Sequence, residues 1–142
     1  MTTHIDYDKA IELLKAAVEK RGTDYVYNPG GYGTCSYNAQ AGRLEGKDDG
    51  PLLDENGNKN PGCIVGYALY DLGVDLNRVG SGSFRSIITF PKASDNSAML
   101  RSDEDITFSF EATFAFERAQ RSQDDGATWG KALEAAINEG QD

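Results

Sequence analysis

Apolar residues near the start of the chain recur at the spacing of an amphipathic helix. The stripe consists of Tyr7, Ala10, Ile11, Leu14, Ala17 and Val18. Asp6 precedes the stripe as a capping residue, and Ile5 is placed to pack onto the first turns as a hydrophobic staple. Basic residues suit the negative end of the helix dipole, and Gly22 after them is a typical stop. These signals predict a helix over about residues 6–21.

A second stripe lies near the other end of the chain. Gly126 breaks the preceding pattern, and Thr128 is a capping residue. The stripe that follows at helical spacing contains Trp129, Ala132, Leu133, Ala136 and Ile137. We predict a helix here, anchored by Trp129, the only tryptophan of the chain, against the middle of the molecule.

The most continuous apolar run of the chain lies between residues 60 and 73. Pro61 and Gly62 open it, and Gly73 stands where a left-handed cap would end a helix. Apolar residues occupy nearly every face of the intervening turns, which is typical of a buried helix. We predict that residues 62–72 form a central buried helix around which the rest of the chain packs.

Turn residues and tyrosines dominate the segment after the first helix. Residues 24–27 have the composition of a short strand, residues 28–31 are strong turn formers, and residues 35–37 fit a returning strand. This pattern predicts a small hairpin. Residues 38–60 are polar, charged and rich in glycine and asparagine, which predicts a long loop.

Two segments of the second half have ambiguous patterns. The first, residues 84–90, has the β-branched and aromatic composition of a strand that Pro91 ends, although a short helix also fits. In the second, residues 106–116, isoleucine and phenylalanine alternate with less apolar residues, as they do in a strand.

Helical signals compete with that alternation. Ile106, Phe110 and Phe114 also stack at the i, i+4 spacing of a helix. A capping residue followed by acids precedes them, and good helix formers follow them. We therefore predict a helix over about residues 103–122, with a long strand over residues 106–116 as the alternative.

Length and pattern together set the fold class. A chain of 142 residues fits a single domain, residues 1–142, that buries an ordinary core without staples. The predicted class is mainly α, an α+β fold with a minor hairpin, in which about four helices pack around the helix over residues 62–72.

Charge and composition restrict the classes of partner and the compartment. The formal net charge of −9 argues against binding to nucleic acid phosphates or anionic lipid, and it permits a basic protein partner. No apolar run approaches the ~20 residues that cross a bilayer, and no basic region precedes an apolar core as in a secretion signal. We therefore expect a cytoplasmic protein whose two cysteines are free thiols.

Cys63 is the best nucleophile candidate, because it lies at a predicted helix start where a thiol pKa falls. A thiol nucleophile commonly needs a histidine base, and the only histidine is His4, in a tail predicted to fray. The favoured interpretation is a small buried apolar residue. Cys35 and Cys63 would also fit a redox pair or half of a zinc site, but a zinc site needs four ligands. We expect Cys35 and Cys63 to be neighbouring reduced thiols that hold no metal.

Two further patterns look like ligand sites but fail in detail. Residues 54–60 alternate oxygen ligands as calcium loops do, but the twelfth position is Val65 where a glutamate is needed. Residues 30–33 are rich in glycine but lack the lysine and hydroxyl residue of a phosphate loop. Both fit turns, and no cofactor is expected.

An aromatic and acidic surface is the more interesting candidate. Tyrosine is enriched at recognition surfaces, because it offers a large contact area at a low entropy cost. The acids of this surface, Asp48, Asp49, Asp54 and Glu55, would also fit a catalytic pair, but a solvated run of charges is the simpler explanation for them. The predicted binding residues are Tyr25, Tyr27, Tyr32, Tyr37, Asp48, Asp49, Asp54 and Glu55. The alternative is that about half of the tyrosines close the core.

Two sequence blocks resemble small proteins encoded by phages of actinobacteria. The first block joins residues 35–37 (Cys-Ser-Tyr) to residues 61–73 (Pro-Gly-Cys-Ile-Val-Gly-x-Ala-Leu-x-x-Leu-Gly), and the second is residues 123–133 (Gln-Asp-Asp-Gly-x-Thr-Trp-Gly-x-Ala-Leu). The resemblance covers about half of the chain, and it implies an accessory protein made in an infected bacterial cytoplasm. In that group the second block usually follows a helix. The group has no assigned activity, so no catalytic residue is carried over.

These observations together predict a noncatalytic phage accessory protein that binds a host protein through the tyrosine-rich hairpin and the acidic loop. Membrane binding and direct contact with nucleic acid are not expected, and the oligomeric state is open. Two alternatives remain. One is a thiol-dependent enzyme or redox protein that uses Cys63. The other is an acidic mimic of DNA, which needs carboxylates spaced like phosphates on one face.

Overall fold

The structure, a computed structural model, describes residues 3–26, 63–74, 84–89, 97–101 and 103–138. Its elements in chain order are β1 (Thr3–Ile5), α1 (Tyr7–Arg21), α2 (Ile64–Asp71), a 3₁₀ turn (Phe84–Ile87), β2 (Ile88–Thr89), β3 (Ser97–Leu100), β4 (Asp103–Ser109), α3 (Phe110–Asp124) and α4 (Trp129–Asn138). The described part is thus an α+β fold with four α-helices and one four-stranded sheet. The number of helices was predicted, but the sheet was not.

The sheet has the strand order β1-β4-β3-β2, with β1 parallel to β4 and the other pairs antiparallel. Alternate side chains are buried on one of its faces, namely Ile5, Ile88, Ala98, Leu100, Ile106 and Phe108. On the opposite face, the strand register aligns His4, Thr107, Met99 and Thr89 in a row across the sheet, where they are half-buried or exposed. The core therefore lies on one side of the sheet only.

Helix α1 begins and ends where its sequence predicts. The Oδ1 atom of Asp6 accepts a hydrogen bond from the backbone N–H of Lys9 at 2.9 Å, which makes Asp6 the N-cap. Gly22 follows the last turn with a φ of 99°, a conformation that favours glycine. Within the helix, the buried side chains are Ala10, Ile11, Leu13, Leu14, Ala17 and Val18. This confirms the predicted stripe and adds Leu13 to it.

Helix α4 is also confirmed. The Oγ1 atom of Thr128 accepts from the N–H of Lys131 at 3.2 Å, and Trp129 is fully buried. Gly130 permits a close approach to the end of α1, because a Cβ atom at this position would lie 2.9 Å from the carbonyl oxygen of Thr23. Ile137, predicted to complete the apolar stripe, is 38 % exposed instead.

The segment 103–122 is corrected by the structure. Residues 103–109 form β4, and the helix begins only at Phe110. The predicted helix was therefore wrong over its first residues, and the alternative strand was wrong after Ser109. The switch occurs at Ser109, whose Oγ accepts from the N–H of Ala112 at 3.1 Å and caps the helix. Before that point, pairing with both β1 and β3 holds the chain extended.

Residues 84–89, the described part of the segment 84–90, combine both of its predicted conformations. Phe84–Ile87 forms a 3₁₀ turn, and Ile88–Thr89 forms the short edge strand β2. The ring of Phe84 meets those of Phe108 and Phe116 edge to face, at centroid distances of 5.3 and 5.2 Å. This aromatic triad joins the 3₁₀ turn, β4 and α3 within the core.

Helix α2 occupies nearly the range that was predicted for it. Gly73 follows with a φ of 88°, as expected for a left-handed cap. The side chains with no exposed surface are Cys63, Ile64, Val65, Ala68 and Leu69. Helix α2 contacts α1 and α3. None of the helices in the described ranges has the length and apolar character needed to cross a bilayer.

The predicted hairpin falls largely outside the described residues. Of its strands, only residues 24–26 are described, and they form a turn and a single bridge from Val26 to Thr128 rather than a strand. The predicted loop over residues 38–60 lies wholly outside them.

Candidate functional site

Most of the predicted binding residues lie outside the described part of the chain. These are Tyr27, Tyr32, Tyr37, Asp48, Asp49, Asp54 and Glu55, for which the prediction stands as made. Tyr25 is described, and it packs inward. Its ring meets that of Trp129 edge to face with the centroids 4.7 Å apart, and its hydroxyl accepts from Nη1 of Arg21 at 3.2 Å. For Tyr25, these contacts favour the alternative that some of the tyrosines close the core.

Three aromatic rings surround the guanidinium of Arg21 at the end of α1. Its Cζ atom lies 5.0 Å from the ring centroid of Tyr25, 5.2 Å from that of Tyr67 and 5.1 Å from that of Trp129. Each such cation–π contact stabilises by about 0.5–1 kcal/mol, and by more where water is excluded. We call this group the Arg21 box. It ties the last turn of α1 to α2 and α4.

Partial desolvation perturbs two acids on α2, namely Tyr67 in the Arg21 box and the exposed Asp71 one turn later. Desolvation raises the pKa of the Tyr67 hydroxyl. The positive charge of Arg21 lowers this pKa, and the negative charge of Asp71 raises it further. Desolvation also raises the pKa of Asp71, and the ammonium of Lys20 opposes that shift. Both acids thus lie close enough to the end of α1 for Arg21 or Lys20 to influence their pKa.

Replacing Arg21 by lysine should lower the free energy of unfolding by about 1 kcal/mol, although the charge is kept. Lysine lacks the planar guanidinium that contacts all three rings and donates to Tyr25. Urea denaturation followed by tryptophan fluorescence measures the loss. Lys15→Ala, an exposed change on the same helix, should stay within about 0.5 kcal/mol of the wild type. An Arg21→Lys variant as stable as the wild type would show that the box contributes charge alone.

Gln123 is a buried polar residue that connects three helices. Its side chain is 1 % exposed, and its Oε1 atom accepts from the backbone N–H of Ile64 at 2.8 Å and from Nε1 of Trp129 at 3.1 Å. Its Nε2 atom donates to Oδ1 of Asp124 at 2.9 Å. One carbonyl oxygen thus satisfies the first N–H of α2 and the indole of α4.

Cys63 corrects the expectation of a free thiol, because it is disulfide-bonded. The chain has two cysteines, and the other, Cys35, lies outside the described residues. The expectation rested on the inferred compartment, which says nothing about whether the fold brings two sulfurs together. The Sγ atom of Cys63 also accepts from the N–H of Gly66 at 3.4 Å, so the residue caps α2. A fully buried sulfur in a disulfide supplies no thiolate to a substrate.

His4, the candidate base, does not lie in a frayed tail, as the sequence predicted, but in the sheet. It belongs to β1 and is exposed, and Nδ1 of its ring lies 2.9 Å from Oγ1 of Thr107. Within the part of the chain that the structure describes, no three histidine, cysteine or acidic side chains converge in the way a metal ion requires.

Two phenylalanines form an exposed aromatic feature on α3. Phe114 is 41 % exposed, and Phe110, one turn earlier, is half-buried with its ring centroid 6.5 Å from that of Phe114. We call this pair the α3 ridge. Arg118, one turn further on, donates to the carbonyl of Ala136 at 3.2 Å and holds α3 against α4. The ridge was not predicted from the sequence, where the i, i+4 spacing of Phe110 and Phe114 served only as a sign of a helix.

Comparisons with models of protein families, with curated proteins and with solved structures found no match to this chain. Its function must therefore be inferred from its own residues and their arrangement.

Proposed function

We propose that this chain is a noncatalytic phage accessory protein that binds a host protein. The observation that carries the proposal is the α3 ridge, an aromatic pair that a well-formed helix presents to solvent. Aromatic side chains are enriched at the centres of protein interfaces, where they act as anchors.

The energetics of the ridge suit an anchor. Completing the burial of a partly exposed phenylalanine yields a fraction of the about 1.5–3 kcal/mol for full burial of a large apolar side chain. The helix already fixes the backbone at Phe114, so binding orders little more than its side chain. The net charge of −9 favours a basic partner, whose approach it would accelerate.

The acidic and tyrosine-rich segment would extend the same interface. Tyr27, Tyr32 and Tyr37 stay in this role, together with the acids of residues 48–55, whereas Tyr25 serves the core. We further propose that α2 is the central helix of the body, which its fully buried side chains and its contacts with α1 and α3 support. No described contact favours the thiol-enzyme or the DNA-mimic alternative.

Phe114→Glu should abolish or strongly weaken host-protein binding without unfolding the chain. A host protein captured from actinobacterial lysate is purified, and its affinity is then measured by titration calorimetry. Loss of an aromatic anchor costs at least ~1.4 kcal/mol, so we expect a dissociation constant raised by about tenfold or more. The matched control is Glu134→Gln, an exposed change on α4, which should leave the affinity unchanged.

A second variant tests the predicted extension of the interface. The double change Tyr32→Ala with Tyr37→Ala should weaken the same complex independently of Phe114→Glu. Failure to recover a specific partner, or a purified partner that binds both variants like the wild type, would contradict the proposed function.

A further inference from the structure

Helices α1 and α3 begin side by side. Strands β1 and β4 are parallel neighbours with Ile5 level with Phe108, and each leads within two residues into its helix. Tyr7, the first residue of α1, and Phe110, the first residue of α3, therefore start neighbouring helices at one edge of the sheet. The two helices also contact each other. The α3 ridge thus lies next to the beginning of α1.

The end of α4 joins the same part of the surface. The hydroxyl of Tyr7 donates to the backbone carbonyl of Ile137 at 3.4 Å. Hydrogen bonds join the end of α3 to the start of α4 and the middle of α3, at Arg118, to the end of α4, so the two helices run in opposite directions. Phe114, one turn before Arg118, and Ile137 therefore lie towards the same end of this helix pair.

We call this surface the aromatic end, and it consists of Tyr7, Phe110, Phe114 and Ile137. Phe114 and Ile137 are two of the three large apolar side chains that are exposed among the described residues. Single exposed apolar side chains are common on protein surfaces, whereas clustered ones mark interaction sites. The clustering at one end of the helices therefore indicates a surface that a partner covers.

Acids stand beside the aromatic end. Asp8, in the first turn of α1, and Glu111, in the first turn of α3, are both exposed. Glu111 precedes Phe114 by one turn, so the two side chains are neighbours on the helix surface. Two cations lie nearby, but Lys9 forms an ion pair within α1 and Arg118 donates to the backbone of α4. The charge next to the apolar side chains is thus complementary to a cationic partner.

We propose that the aromatic end binds a basic segment of the host protein, in which lysine or arginine flanks an apolar side chain. The apolar side chain packs against Phe114 and Ile137, and the cations lie beside Asp8 and Glu111. Apolar burial supplies affinity, and the charges supply orientation and faster association. The inference rests on the proposed function, to which it adds the chemistry of the partner and two contact residues, Tyr7 and Ile137.

Fluorescence anisotropy with the full chain tests the proposal on three short labelled peptides. The first contains lysine, leucine and glycine. In the second, glutamine replaces each lysine, and in the third, serine replaces each leucine. We expect the first peptide to bind and each of the others to bind about tenfold more weakly or worse, because each lacks one kind of contact. Absence of binding by the first peptide, or equal binding by either counterpart, would overturn the proposal.

Variants locate the site. Phe114→Ala should weaken binding of the lysine–leucine peptide several-fold and leave that of the serine counterpart unchanged. Asp8→Asn with Glu111→Gln should weaken the lysine–leucine peptide and leave the glutamine counterpart unchanged. The matched control, Glu19→Gln with Asp24→Asn, removes the same charge near the opposite end of α1. It should change the affinity little, since salt at 0.1 M screens exposed charges beyond about 10 Å. All these positions are exposed, so the variants should keep the wild-type circular dichroism spectrum. Equal losses in the two double variants would show that only the net charge attracts the peptide, and would overturn the proposal.

The outcome for the peptides is separate from the outcome for the host protein. If the peptides fail to bind but Phe114→Glu still weakens the captured host protein, the inferred partner chemistry is wrong and the proposed function stands. If the peptides bind as expected but no host protein is recovered, the proposed function is contradicted, while the preference of the aromatic end for a basic and apolar segment is supported.

Discussion

Replacing Phe116 by alanine should lower the free energy of unfolding by about 3–5 kcal/mol. The Phe116 side chain has no exposed surface and meets the rings of Phe84 and Phe108 at centroid distances of 5.2 and 5.7 Å. Its removal leaves a cavity where three elements join, and it ends two aromatic contacts. Urea denaturation at equilibrium measures the loss, which corresponds to a fall in melting temperature of roughly 10 °C or more.

The matched control is Phe114→Ala, the same change two residues earlier. Phe114 is 41 % exposed, so the loss should stay below about 1 kcal/mol. The comparison also tests the helix, because residues i and i+2 lie on nearly opposite faces of a helix but on the same face of a strand. If both variants lose the same stability, the strand extends through this segment and the position of α3 is wrong.

Gln123→Leu should have the second-largest effect, a loss of about 2–4 kcal/mol. The change removes the oxygen that accepts from the N–H of Ile64 and from the indole of Trp129. Leucine fits the volume but leaves both donors buried, and each unsatisfied donor costs about 1–3 kcal/mol. The added apolar burial offsets part of that loss. Thermal denaturation followed by circular dichroism measures the difference.

A double-mutant cycle separates the hydrogen bond from the packing. Trp129→Phe removes the indole donor, so Gln123→Leu should cost less in that background than in the wild type, by roughly 0.5–1.5 kcal/mol. Additive losses would mean that the amide and the indole do not interact.

The elements that the sequence predicts well are those whose signals are local. Helix α1 has its cap at Asp6, its stripe and its stop at Gly22 within a few turns, and α4 has Thr128 and Trp129. Such signals depend only on residues three or four positions away, so these helices can be predicted without knowledge of the rest of the fold.

The sheet was missed because its pairings are distant in sequence. Strand β1 has only three residues, and it pairs with β4 about a hundred residues later, as in the register of His4 with Thr107. Nothing in so short a segment marks it as a strand. The boundary at Ser109 was missed for a related reason. Ile106 and Phe108 follow the period of a strand and Phe116 follows that of a helix, but all three side chains are buried in one core, so burial alone does not mark where the strand ends.

The sites were the least predictable part. Gln123 lies in line with Phe116 and Ala119 on the buried face of α3, so a glutamine at a core position was a signal that could have been noticed. The ion pair of Arg85 with Glu117 could not have been predicted, because only the fold brings these two residues together. Of the predicted tyrosine surface, only Tyr25 is described, and its contacts are internal.

Hydroxyl-radical footprinting of the purified complex tests the proposed interface most directly. The oxidation rate of each aromatic side chain is measured with and without the captured host protein. We expect the rate at Phe114 to fall several-fold in the complex, while the rate at Tyr70, on α2, stays unchanged. An unchanged rate at Phe114 in a complex that forms would contradict the account, because the α3 ridge would then remain open to water.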